Sequence, residues 1–131
     1  AAEAFERAAA LRDRWQPMHW LSAHLERVRQ ACRRSCVYPA VGRDGSRGHW
    51  YVIHHGRVRT VTQAPRDGAT RSAALAALDA AFHGGASGPP GPDEIDGVLL
   101  VAAWFQRHPA EKDKALTPAA ARTACLGERP A

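Results

Sequence analysis

At Cys36 the spacing of apolar residues along the chain changes, and that change decides which folds are open to it. Before Cys36, apolar residues recur every three or four positions: Phe5, Ala8, Ala9, Leu11 and Trp15, then Met18, Leu21, Leu25, Val28 and Cys32. This is the period of a helix with one apolar side. Beyond Cys36 the period falls to two. Residues 37–41, 49–55 and 57–63 are short runs rich in Val, Ile, Thr, Trp and Tyr. Gly42, the turn-rich run 43–48, His55-Gly56 and Pro65 bound them, and segments of this kind are strands. They form a three-stranded antiparallel meander in which Pro39 marks an edge strand. Trp50, Val52 and His54 share one face, and Tyr51, Ile53 and His55 the other.

Helices flank the meander. Residues 1–15 read as one helix that Pro17 closes, and Pro17 then suits the first turn of a second helix ending near Ser35. The second helix has an apolar stripe that needs burial and an opposite side carrying His24, Arg27, Arg29, Arg33 and Arg34. After the strands, Thr70 or Ser72 caps a helix with Leu75, Leu78 and Phe82 on one side, which Gly84-Gly85 ends. A Pro- and Gly-rich loop follows over residues 84–92. Asp93 then serves as N-cap of a last helix, with Glu94 and Asp96 in its first turn and Ile95, Val98, Leu99, Ala102 and Phe105 as its buried stripe. Pro109 stops it, and residues 109–131 read as a frayed, disordered tail. The expected fold is α+β: an N-terminal helix pair over 1–35, then a small α+β domain over 36–108 in which the meander precedes two C-terminal helices.

At 131 residues one modest core is expected. No apolar run approaches the roughly 20 residues that cross a bilayer, and residues 1–14 alternate charges with alanines where a signal peptide would be apolar. No membrane partner is expected. Three cysteines, Cys32, Cys36 and Cys125, suit a reducing compartment and a cytoplasmic location. The net charge is +5, and sixteen of the eighteen basic residues are arginine, the side chain whose fork fits phosphate and carboxylate. The excess lies in residues 1–71, whereas residues 72–106 hold four acids and no Lys or Arg. The first residue is Ala1, in mid-helix, so the chain reads as a piece of something longer.

The search for chemistry excludes more than it finds. No Gly-x-Ser-x-Gly elbow or Gly-Lys-Ser/Thr phosphate loop occurs, and the strands carry no Asp or Glu for two-metal catalysis. Asp93, Glu94 and Asp96 are explained by the helix start. His54 and His55 point to opposite strand faces and cannot chelate one metal as neighbours. Cys32 and Cys36, four apart on a helix, would supply two ligands of a metal site, but further ligands are not evident. The chain therefore reads as having no catalytic set and no cofactor. Arg43, Arg47, Arg57 and Arg59, with Arg66 and Arg71, decorate the meander beside Trp50 and Tyr51 and are the candidate DNA-binding surface.

One motif remains. Phe5-Glu6-Arg7-Ala8-Ala9-Ala10-Leu11-Arg12-Asp13 resembles the second half of the UVR motif, Phe-Glu-x-Ala-Ala-x-Leu-Arg-Asp, of the B and C subunits of the bacterial excision nuclease. The resemblance implies that Phe5, Glu6, Ala8, Ala9, Leu11, Arg12 and Asp13 form a docking helix. Phe5 would be the anchor, the alanines would allow close approach, and the charged residues would make cross-helix pairs. Residues 36–39, 49–53, 56–58 and 94–105 look like the region that follows this motif in shorter relatives of the second of these subunits. Those relatives carry a GIY-YIG nuclease domain upstream, sometimes with a proofreading-type exonuclease domain. Neither the first hairpin helix nor the GIY-YIG signature with its Arg and Glu occurs here. The resemblance thus implies a non-catalytic accessory region of an excision-nuclease-like DNA repair protein. Its partners would be a helicase-type repair subunit, or a helix of the same protein, and DNA. The competing readings are a structural partner-binding module that touches no nucleic acid, and a metal protein built on the histidines.

Overall fold

The structure, a computed structural model, describes residues 1–43, 45, 48–84 and 90–127. It divides into two compact units, residues 1–30 and residues 31–131.

The first unit lies within α1 (Ala2–Cys32), a single helix of 31 residues that runs straight through Pro17. The expected helix pair is therefore one helix. An interior proline costs about 3 kcal/mol relative to alanine, because it cannot donate its backbone hydrogen bond and its ring crowds the preceding turn. Here the bond lost is the one to the Asp13 carbonyl. Strong helix formers on both sides, Ala8 to Arg12 and Leu21 to Glu26, carry the helix across the gap. The stripe expected to need burial stays open, since no residue of α1 is buried.

The second unit has the α+β architecture expected. Strands β1 (Cys36–Val41), β2 (Gly48–His54) and β3 (Arg57–Gln63) form an antiparallel sheet in the order β1-β2-β3. His55 and Gly56, both at positive φ (51° and 82°), make the two-residue turn between β2 and β3. Four helices follow: α2 (Gly68–His83), α3 (Pro92–Arg107), the single turn α4 (Pro109–Lys112) and α5 (Pro118–Leu126).

Both faces of the sheet are covered, which explains why adjacent residues are buried in pairs: Cys36 with Val37, and Val52 with Ile53. On one face Val37, Trp50 and Val52 pack with Ala74, Leu78 and Ala81 of α2 and Ala121 and Cys125 of α5. On the other, Cys36 and Ile53 pack with Val101 and Phe105 of α3. Pro39 does sit on an edge strand. The outer edge of β1 is partly closed by Leu116, which exchanges two backbone hydrogen bonds with Val37 at 2.8 and 2.9 Å.

Leu116 belongs to the stretch read as a disordered tail, and that reading is corrected. Thr117 caps α5, its hydroxyl accepting from the Ala120 N–H at 3.2 Å, and Gly127 closes it at φ 74°. Small buried side chains anchor the segment, and their weak periodicity hid it. Two caps also move. Asp67, not Thr70 or Ser72, caps α2: its carboxylate accepts from the Thr70 N–H at 2.8 Å while the Thr70 hydroxyl accepts from the Asp67 N–H at 3.0 Å. Gly91, not Asp93, caps α3, because Pro92 takes the first helical position that proline favours and Glu94 reaches back to the Gly91 N–H.

Candidate docking helix and nucleic-acid interface

The seven candidate docking residues all lie on α1 and are all exposed. Phe5, Ala8, Ala9 and Arg12 stand at i, i+3, i+4 and i+7, so the helix brings them to one side. Ala8 also begins a second row with Leu11, Trp15 and Met18, and the two rows make one wide apolar face. Phe5 is 80% exposed, Trp15 61% and Met18 71%, which is unusual for side chains of this size. Glu6 and Asp13, seven residues apart, share the flank beyond Ala9, where they could pair with a neighbouring helix but not with the Phe5 row.

The apolar face does not run straight along α1. Its C-terminal continuation, Leu21, Leu25, Val28 and Cys32, is rotated by about a quarter turn at 3.6 residues per turn. The change falls at residues 18–21, just after Pro17. On either side of it, Trp15 stacks on His19 with ring centroids 4.6 Å apart, and Trp20 stacks on His24 at 5.2 Å. Arg27, Arg29 and Arg33 are exposed in the C-terminal half, with Arg29 within 4.0 Å of Glu26.

The four candidate DNA-binding arginines do not form one surface. Arg43 is exposed just beyond β1, and Arg47 lies outside the described residues. Arg57 opens β3 opposite His54 at the far end of β2, about 20 Å away at 3.3 Å per residue. It forms an ion pair with Glu94, in the first turn of α3, and tethers that helix to the sheet. Its first role is therefore structural, a pairing across 37 positions that no local pattern reveals. Arg59 is half-buried. Of the two aromatic residues beside them, Trp50 belongs to the core, and only Tyr51 is open on the sheet.

The histidine and cysteine readings also change. His54 and His55 are not held apart by strand alternation, because the positive φ of His55 turns its ring back to 3.9 Å from the His54 ring. Among the described residues no three His, Cys, Asp or Glu side chains gather into a metal-binding group. Cys32 ends α1 whereas Cys36 opens β1, so they do not share a helix face. Burial pushes the Cys36 and Cys125 thiols up, which makes them poor nucleophiles. No helix among the described residues is long and apolar enough to cross a membrane.

Against known proteins the chain matches no family model, no curated protein and no solved structure.

One polar contact on the α3 side of the sheet went unnoticed in the sequence, where Tyr38 and Glu111 lie 73 positions apart. The Tyr38 hydroxyl donates to Glu111 Oε2 at 2.7 Å, and the Tyr38 ring meets the rings of Trp104 and Phe105 edge to face. Burial first, then the hydrogen bond to Glu111 and the charge of that carboxylate, push Tyr38 up to about 12. The folded state thus holds this proton more tightly than the unfolded chain does. The resulting stabilisation is complete below the ordinary tyrosine value near 10 and is lost as pH rises from there towards 12. Phenolate absorbance should show Tyr38 ionising with the alkaline unfolding transition, and Tyr38→Phe should make stability flatter between these values. Ionisation of Tyr38 near 10 in the folded chain would contradict the arrangement.

Proposed function

We propose that the chain is a non-catalytic accessory region of an excision-nuclease-like, cytoplasmic DNA repair protein. In this reading α1 docks a helicase-type partner subunit, or a helix of the same protein, and basic side chains help to place DNA. One observation carries it: the residues that match the UVR motif lie on a long helix with none of its residues buried, where Phe5, Leu11, Trp15 and Met18 remain exposed. A face of that size and aromatic content is suited to packing against another helix. The rotation of the apolar rows after Pro17 gives the N-terminal half, where the motif lies, its own contact face.

The test is binding of the chain to the helicase-type subunit of an excision nuclease. Truncating an anchor such as Phe5 together with Arg12 should weaken it by about tenfold or more, since anchors of this type carry about 2 kcal/mol or more each. Unchanged affinity of the Phe5→Ala, Arg12→Ala variant would overturn the docking role. The competing reading, a partner-binding module that touches no nucleic acid, draws support from the Arg57–Glu94 pair, which removes one arginine from the candidate DNA surface. A salt titration separates the two: DNA binding through arginines weakens steeply with salt, and no DNA binding at low salt favours the module.

A further inference from the structure

Between β2 and β3 the register slips. Val52 faces Thr60 and Ile53 faces Val58, so Arg59 is the extra residue of a β-bulge. Bulges re-aim a side chain out of the regular alternation and recur beside binding sites. The re-aimed Arg59 has a buried Nε that makes no hydrogen bond, and no carboxylate pairs with it among the described residues. A buried guanidinium nitrogen of this kind calls for an acceptor, which a water or a bound anion can supply.

Arg59 stands two residues along β3 from Arg57, the cross-strand partner of His54, and three further groups gather at that end of the hairpin. Ser35 Oγ lies 2.9 Å from His54 Nδ1 and accepts from the His55 N–H at 3.4 Å. The His55 ring packs 3.9 Å from that of His54, and the Phe82 ring of α2 closes the remaining side of His54 edge to face at 5.1 Å. The Ser35 hydroxyl engages Nδ1 of His54, so a ligand would meet that ring at Nε2.

We propose that Ser35, His54, His55 and Arg59 form a binding site for a phosphate group. Arg59 supplies the permanent charge and the fork, the two imidazoles supply N–H donors from other directions, and Ser35 holds the His54 ring through Nδ1. A tetrahedral oxyanion has acceptors enough to meet all of them. Burial, then His55 and Arg59, hold His54 below its ordinary range, and the last of these places the Arg59 charge close enough to act on the ring. The phosphate could belong to a nucleic-acid backbone or to a terminal monoester. None of the four residues is a motif residue of α1, so failure of the docking role at Phe5 and Arg12 leaves the site standing.

The experiment is an NMR titration of the whole chain with inorganic phosphate, set against chloride at equal ionic strength. The Arg59 Nε–H and the His54 and His55 ring signals should move together and saturate with phosphate only. Arg59→Gln should weaken binding by about tenfold or more, and Arg59→Lys, which keeps the charge without the fork, should fall between. Should Arg59→Gln fail to fold, His55→Asn serves, because asparagine tolerates positive φ, and it should also weaken binding. A 5′-phosphorylated oligothymidylate binding better than its unphosphorylated twin would assign the site to a terminal monoester. Equal, saturable binding of both would assign it to the backbone diester. Shifts that fail to saturate, that chloride reproduces, or that Arg59→Gln and His55→Asn leave unchanged would overturn the proposal.

Discussion

Gly56→Ala should destabilise the second unit by about 2–5 kcal/mol, the sum of left-handed strain at about 1–2 and overpacking at about 1–3 kcal/mol. Gly56 closes the β2–β3 turn at φ 82°, and a Cβ there would lie 2.3 Å from the Ala31 carbonyl oxygen, 2.9 Å from its carbon and 3.1 Å from Val98 Cγ1. The carbonyl is backbone and cannot rotate away. The turn cannot shift cheaply either, because the Gly56 N–H donates to the Arg34 carbonyl at 2.8 Å and holds the hairpin against the chain leaving α1. A domain of about 100 residues loses roughly 4–8 °C of melting temperature per kcal/mol, so the midpoint should fall by about 8 °C or more. Gly45→Ala is the matched comparison. Gly45 has a similar φ of 67° but nothing within 4 Å of the added Cβ, so it should show the conformational strain alone, about 1–2 kcal/mol. Equal losses for the two variants would mean that the close approach to Ala31 does not exist in solution.

That turn also shows how far the sequence carries. His55-Gly56 between two β-branched runs announces a two-residue hairpin, and the three strands follow from their own alternation. Their order needs nothing more, because the turns are short. The C-terminal segment was hidden for a physical reason. Its anchors are Leu116, Ala121 and Cys125, and two of these are too small to stand out as a stripe, although Thr117-Pro118 is a legible helix start and Gly127 a legible stop. Pro17 misled in the opposite direction: a breaker in isolation, it costs one hydrogen bond in a helix whose flanks are both strong formers. Of the candidate sites, the docking rows could be read because helical spacing alone sets them. The arginine surface could not. Whether Arg57 faces solvent depends on Glu94, and where Arg59 points depends on a bulge. Both are decided by tertiary register, which no window of sequence contains.

The second large effect is expected at Trp50. Trp50→Ala should cost about 4–5 kcal/mol, the upper part of the range for truncating a buried aromatic residue. Trp50 is only 5% exposed, and its neighbours on that face are Val37, Val52, Ala74, Leu78, Ala81, Ala121 and Cys125. Four of these are alanine or cysteine, with no long side chain to swing into the space. The cost of such a cavity depends on how well the site can collapse, and here three elements meet around it: the sheet, α2 and α5. Because α5 is held by this core, by the exposed Arg122–Asp79 ion pair to α2 and by the Val37–Leu116 bridge that precedes it, it should loosen first, with faster amide exchange at Ala121 and Cys125 than at Val101 of α3 on the opposite face. Trp50→Phe should recover most of the loss. Denaturant unfolding followed by far-UV circular dichroism measures the cost, because both Trp50 variants lack the buried indole whose emission would otherwise report unfolding. If Trp50→Ala cost less than about 2 kcal/mol, the α2–α5 side could not be packed as a core. If exchange rose equally on both faces, the two sides of the sheet would be one cooperative unit, and α5 would be bound more tightly than its few anchors allow.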